Sequence, residues 1–268
     1  MSKRSVWFGT IDNMRWVPAP LAGAISNTVR WRAVDQLLNG GAVVRQSAAS
    51  HQTKSLSWPV QSAESLAPVE ATLNEPGPYY FLDPIAAQSN AVPSYWAQTA
   101  ISASGGPALV SGIETKVVSI TAQNGYASSA AQLTTTARDT NLVIPVPEGY
   151  TLHLGVHGVG GTYRLNNGTA KAPLATNSNV RTNLTVSGPT LARLQLASAS
   201  STTYTIAGIV AQVLPNGKTP TPGGFLPGLG SSALQLADDP SITTYSAALP
   251  RAQRGIAANF VEVGAWLV

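Results

Sequence analysis

Three histidines, twelve carboxylates and no cysteine are the material from which this 268-residue chain could build a reactive site. Without a thiol, disulfides, thiolate zinc sites and cysteine nucleophiles are excluded. His51 stands alone, whereas His153 and His157 invite a metal reading, because four residues apart on a helix two imidazoles share a face. Their surroundings, Thr151-Leu152-His153-Leu154-Gly155-Val156-His157, alternate instead, with residues 152, 154 and 156 apolar, and read as a strand. On a strand, residues four apart stand roughly 13 Å from each other at about 3.3 Å per residue. Zinc ligands must each lie within about 2.1 Å of the ion. The two histidines are therefore expected to face solvent, opposite an apolar face, and no metal or other cofactor is expected.

Acyl-transfer and glycosidase chemistry fare no better. Gly-x-Ser-x-Gly does not occur, and Gly230-Ser231-Ser232 lies in a Gly/Pro-rich loop far in sequence from any histidine. The runs Gly158-Val159-Gly160-Gly161 and Gly223-Gly224 lack the strand–loop–helix setting of a phosphate site and read as turns. A glycosidase needs only two carboxylates, but each distinctive carboxylate has a plainer reading. Asp83, before Pro84, reads as a turn cap. Asp238-Asp239-Pro240 reads as a turn. Glu262, between Val261 and Val263, reads as one partner of a buried or inter-chain salt bridge. A cell-wall hydrolase or esterase would need a clustered acid pair or Ser–His pair that the sequence does not display, so the chain is not expected to be an enzyme.

The elements that must carry these residues are drawn from an unusual composition. Charged residues are 10% and hydrophobic residues 44%, with 24 Gly and 19 Pro. Charge far below the usual ~25% fits an all-β protein packed against neighbours, and the apolar content argues against disorder. The net charge of +4 is scattered, with Arg30-Trp31-Arg32 the tightest cluster, so nucleic-acid binding is not expected. The N-terminus lacks the apolar core of a signal peptide. No apolar run approaches the ~18 residues of a membrane span. Synthesis in the cytoplasm as a soluble chain is the expectation.

Five of six tryptophans precede residue 97, which predicts two regions with different cores, 1–101 and 102–268, parted near Ser102–Pro107. In the first, Val6–Phe8, Met14–Val17, Val43–Arg45 and Leu56–Val60 read as short strands. Thr28–Leu38 fits helix or strand, and Ala63–Leu73 fits a helix weakened by Pro68. In the second, strands are expected over Leu142–Val146, Tyr150–Val156, Arg181–Val186, Leu191–Leu196, Tyr204–Leu214 and Ile256–Leu267. A tight hairpin turn is expected at Asn167-Gly168. The fold class is mainly β, the second region a β-sandwich or jelly roll.

One stretch is too rigid and too aromatic for a linker: "EPGPYYFLDPIAAQSNAVPSYWA", residues 75–97. Its Gly-Pro and Asp-Pro corners are expected to aim Tyr79, Tyr80, Phe81 and Trp96 into packing, within one subunit or between two. The pieces "GPYYFLDP…NAVPSYWA", "SHQTKSLSWPV", "GFLPGLGSSALQLADDPSITTYSAAL" and the terminal "FVEVGAWLV", which holds Glu262 and Trp266, together resemble minor tail proteins of long-tailed phages of actinobacteria. The matched pieces run from about Trp7 to Val268. The resemblance implies a distal-tail-type virion protein at the tail tip or baseplate. It further implies an N-terminal belt-like β domain, a C-terminal galectin-like sandwich, and a hexameric ring of copies that meets the tail tube, the tail-tip hub or the tape-measure protein. It implies no catalytic residue. The loop Pro227–Ser232 departs from the group, lacking a histidine after its second glycine. The alternative is a virion-displayed carbohydrate-binding module that contacts a host cell-surface glycan, with Tyr163 as one ring of its platform.

Overall fold

The computed structural model describes residues 5–10, 13–21, 25–36, 42–123, 125–126, 128–166, 168–176, 184–220, 223–247 and 252–263, of which 25–36 and 42–52 by backbone alone. In chain order, β1 (Ser5–Gly9) and β2 (Met14–Pro18) form a hairpin, and β3 (Ile25–Gln36) and β4 (Ala42–Ser62) a much longer one. Helix α1 (Ala63–Leu73), strand β5 (Tyr80–Leu82) and short helices α2 (Pro84–Gln88), α3 (Ser94–Ala97) and α4 (Thr99–Ala103) follow. Then come β6 (Lys116–Ser119), β7 (Ser129–Thr135), β8 (Arg138–Val146), β9 (Tyr150–Val159) and β10 (Thr162–Leu165). Next are β11 (Lys171–Pro173), β12 (Leu184–Ser187), β13 (Thr190–Leu196) and β14 (Thr202–Pro215). The last described strands are β15 (Leu234–Leu236), β16 (Ser241–Ser246) and β17 (Gln253–Glu262). The chain is mainly β, and the strands within each sheet are antiparallel neighbours.

Two of the four sheets, β12-β9-β14-β7-β6 and β11-β10-β13-β8, pack face to face. Between them lie Leu152, Leu154 and Val156 of β9, Ile209 and Val213 of β14, and Ile144 and Leu194 opposite. A third sheet, β15-β17-β4-β3 with β16 alongside β17, shares a second core with α1. There Phe8 is ringed by Trp58, Tyr79, Phe81 and Phe260, at centroid distances of 5.8 to 6.3 Å. The last strands thus return to the sheet of β4, because Ile256, Ala258 and Phe260 complete the core that Trp58 and Leu56 begin. A division at 101/102 does not follow this sheet membership. Helix α1 persists through Pro68, which forfeits one bond to the carbonyl of exposed Glu64 while Leu66, Val69 and Leu73 are buried. Thr28–Leu38 is a strand as far as Gln36, fixed by its ladder with β4; Leu37 and Leu38 lie outside the described residues. So do residues 181–183 and 264–267 of two expected strands, and Asn167. The connection from β10 to β11 spans residues 166–170 rather than two, and Gly168 does not take a positive φ.

The remaining sheet, β2-β1-β5, lies between the two cores. Val6 and Phe8 of β1 and Phe81 of β5 enter the α1 core, while Trp7 and Leu82 enter the sandwich core. Period-two alternation sends successive residues to opposite faces, so this small sheet is buried on both.

Past Ile206, β14 outruns its neighbour β7, and its open edge is closed by segment 88–99. Asn90, fully buried, stands in for a missing strand. Its Nδ2 donates to the carbonyls of Ile209 and Leu226, both at 3.0 Å, and its Oδ1 accepts from the amides of Ala211 at 3.0 Å and Val92 at 3.2 Å. A carboxamide has two donors and two acceptor sites, and here all four are used. Thr99 does the same work at the start of the gap, its hydroxyl donating to the Ile206 carbonyl and accepting from the Ala131 amide. The chain backbones come so close that a side chain at Gly208 would meet the Ala97 carbonyl at 2.4 Å. Asn90→Ala strands three buried backbone groups and the half-buried Leu226 carbonyl, and at about 1–3 kcal/mol for each buried group a loss on the order of 3 kcal/mol or more is expected in denaturant unfolding. Asn90→Asp fares as badly, since a carboxylate cannot donate to Ile209 or Leu226. An alanine variant within about 1 kcal/mol of the parent would contradict this role.

Candidate functional site

The stretch from Glu75 is a junction folded within one chain. The Glu75 carboxylate accepts from Thr10 Oγ1 at 2.8 Å, Asn13 Nδ2 at 2.6 Å and Arg15 at 2.7 Å, which ties the stretch to the β1–β2 hairpin. Its backbone carbonyl accepts from the Tyr79 hydroxyl at 2.6 Å. Tyr79, Tyr80 and Phe81 are all buried, Tyr79 and Phe81 in the α1 core and Tyr80 against Val143 and Ala233 on the other side of the sheet. Asp83 caps α2, accepting from the amides of Ile85 at 2.6 Å and Ala86 at 3.4 Å, with Pro84 in the first helical turn. Trp96 is fully buried and its Nε1 donates to the Pro107 carbonyl at 3.1 Å. Trp266 lies outside the described residues, as does the side chain of His51.

Glu262 is buried because the core face of β17 carries Ile256, Ala258, Phe260 and Glu262. Its Oε1 accepts from the Tyr95 hydroxyl at 2.9 Å and the Ser232 amide at 2.7 Å. Burial first, and this carboxylate second, hold the Tyr95 phenol protonated. Lys54 is buried nearby, its ammonium 5.3 Å from the centre of the Phe81 ring. Burial lowers its pKa, and the Asp83 and Glu262 carboxylates oppose that shift. Each of these polar groups joins chain segments distant in sequence, and the cluster lies inside the protein.

The expectation for His153 and His157 is corrected: both are buried, because the outer face of β9 is covered rather than solvated. Tyr126 lies flat on His157, with centroids 4.0 Å apart and planes at 10°, and Phe225 packs edge-on against Tyr126. Among the described residues, neither imidazole makes a hydrogen bond of good geometry. Among the described residues, no three His, Asp or Glu side chains gather as a metal site. Likewise no helix there is long and apolar enough to cross a membrane. Tyr163 is also buried, its hydroxyl accepting from the Val156 amide at 3.2 Å, and offers no surface platform.

An open, aromatic site exists elsewhere. Where the β1–β2 hairpin meets the sandwich, Trp7, Trp16 and Tyr150 wall a cleft of about 90 Å³, with the exposed Gln88 at its border. Trp16 meets Trp7 edge-on at 5.2 Å and Tyr150 at 5.9 Å, yet stays 42% exposed. Among the described residues no charged side chain lines it, so it suits an uncharged ligand. Sequence alone placed Trp16 on a strand; that it and Tyr150 meet depends on how the hairpin docks, which no local pattern encodes.

Burial lowers the pKa of both imidazoles from the usual 6.5, the backbones of Lys218 and Thr176 opposing the shift at His153 and His157 respectively. A folded pKa below the unfolded one means that the unfolded chain binds more protons. Stability is therefore full above about pH 6.5 and is lost as pH falls below that value. The unfolding midpoint should drop between about pH 7.5 and 5, and His157→Phe, which preserves the stack on Tyr126, should flatten the drop. A midpoint that rises on acidification would contradict the assignment. In comparisons with known proteins, no family model and no curated protein matches the chain.

Proposed function

We propose that this chain is a structural subunit of a long-tailed phage virion, a distal-tail-type minor tail protein. Six copies form a ring that joins the tail tube to the tail tip or baseplate, and the tube, hub or tape-measure proteins are its further neighbours. The observation that supports it best is a two-stranded ribbon. Among the described residues β17 pairs with β4 only over residues 53–62, so residues 42–52 pair there with β3 alone, from Thr28↔Gln52 to Gln36↔Ala42. The ribbon extends roughly 30 Å at about 3.3 Å per residue, and such a ribbon is at best marginally stable by itself. Among the described residues its outer edges carry no further strand.

The opposite border of the same sheet ends in β16, Ser241–Ser246, which bears no charge and exposes Ile242 and Tyr245. An uncharged, exposed edge strand is one that proteins normally protect. Two unlike open edges on one sheet favour head-to-tail contact between copies, which closes into a ring when the rotation permits. The four sequence pieces that resemble the phage group point the same way. A second reading, a carbohydrate-binding module on the virion, is favoured by the exposed indole of Trp16 beside Tyr150.

Replacing residues 30–50 by Asn-Gly shortens the ribbon to a two-residue hairpin. The expected result is a folded monomer, by near-UV circular dichroism and mass photometry, where the parent forms rings. A parent that stays monomeric at high concentration, or rings that survive the replacement, would contradict the proposal.

A further inference from the structure

We infer that the cleft between the β1–β2 hairpin and the sandwich binds one neutral pyranose ring of a glycan, stacked on Trp16. The inference deepens the carbohydrate-binding reading and is independent of ring formation.

Four observations converge on that ligand. First, Trp16 is 42% exposed although Trp7 and Tyr150 flank it at 5.2 and 5.9 Å, so aromatic surface is held open at the cleft. A pyranose presents one face of C–H bonds that can cover such a ring, and keeps its hydroxyls at the rim. Second, among the described residues the lining holds no charged side chain, which disfavours phosphates, uronates and basic peptides. Third, polar groups able to recognise hydroxyls are present. Gln88 is exposed with a carboxamide that both donates and accepts. Ser5 also lines the wall, with a hydroxyl that both donates and accepts. Fourth, the size fits. At roughly 15 Å³ of such space per water, about 90 Å³ holds some six waters, the bulk of a single substituted six-membered ring.

The walls are also pre-formed. Pro84, Pro147 and Pro215 border the cleft, each with a fixed φ, and come from three different parts of the chain. Pro84 sits in the first turn of α2, held by the Asp83 cap, and Pro147 precedes the turn into β9. Binding would order little that is not already ordered, which keeps a small contact area usable.

The test is saturation-transfer NMR on the full-length protein with methyl β-glucopyranoside, methyl β-galactopyranoside and methyl N-acetyl-β-glucosaminide. Glucuronate and decaproline serve as comparison ligands. The expected result is transfer to the C–H protons on one face of a neutral glycoside. Trp16→Ala should weaken that binding about tenfold, equivalent to some 1.4 kcal/mol, while Trp16→Phe retains it and Gln88→Ala reduces it. Trp16→Phe keeps an aromatic ring beside Trp7 and Tyr150 and should keep the parent's unfolding midpoint, and near-UV circular dichroism checks that Trp16→Ala remains folded. No transfer from any neutral glycoside, transfer that survives Trp16→Ala, or a preference for glucuronate or decaproline would overturn the assignment. Particle mass, read in parallel, reports on the ring separately.

Discussion

Two short runs that alternate, Val6-Trp7-Phe8 and Tyr80-Phe81-Leu82, hold the molecule together. Each belongs to the three-stranded sheet that lies between the cores, and each sends neighbouring residues to opposite sides. Neither face is solvated, so neither run can afford a polar position. Phe8 and Phe81 close the core beneath α1, while Trp7 and Leu82 close the sandwich. The rest follows from this sheet being narrow. It needs Glu75 to anchor the hairpin, the Asp83 cap to turn the chain away, and Asn90 to carry it along the open edge of β14.

Periodicity made the sandwich strands legible. Leu152, Leu154 and Val156 do face the core, and Tyr204–Leu214 lies in a central strand buried on both faces from Tyr204 to Val213. The Asp83 cap was legible too, because Asp-Pro before an apolar run is a local signal. Long-range facts were not. His153 and His157 read as solvent-facing since a strand's second face is normally wet, but loops carrying Tyr126 and Phe225 cover it. Asn90 has the composition of a turn residue, and its role as a substitute rung depends on β14 outrunning β7. The clustering of tryptophans before residue 97 hid the return of β17 to β4, because its core residues are Ile256, Ala258 and Phe260 instead.

The low charge of the sequence takes on a structural meaning in this arrangement. Few charges are needed when polar satisfaction comes from neutral amides and hydroxyls, as at Asn90, Thr99 and Tyr95. The edge strand β16 carries no charge, although edges are normally guarded by lysine, which suits the proposed contact between copies. The proposed sugar cleft lies on the sandwich side of the central sheet, whereas the ribbon continues the sheet on the other. One subunit can therefore offer an assembly surface and a ligand surface without either competing for the same residues.

The central claim is a structural place at the tail tip of a virion. Electron microscopy of purified particles labelled with antibody to this chain tests it most directly. The account predicts label at the tail tip, in a ring where the tube meets the baseplate. Label on the head, label spread along the tube, or its absence from intact particles would contradict it.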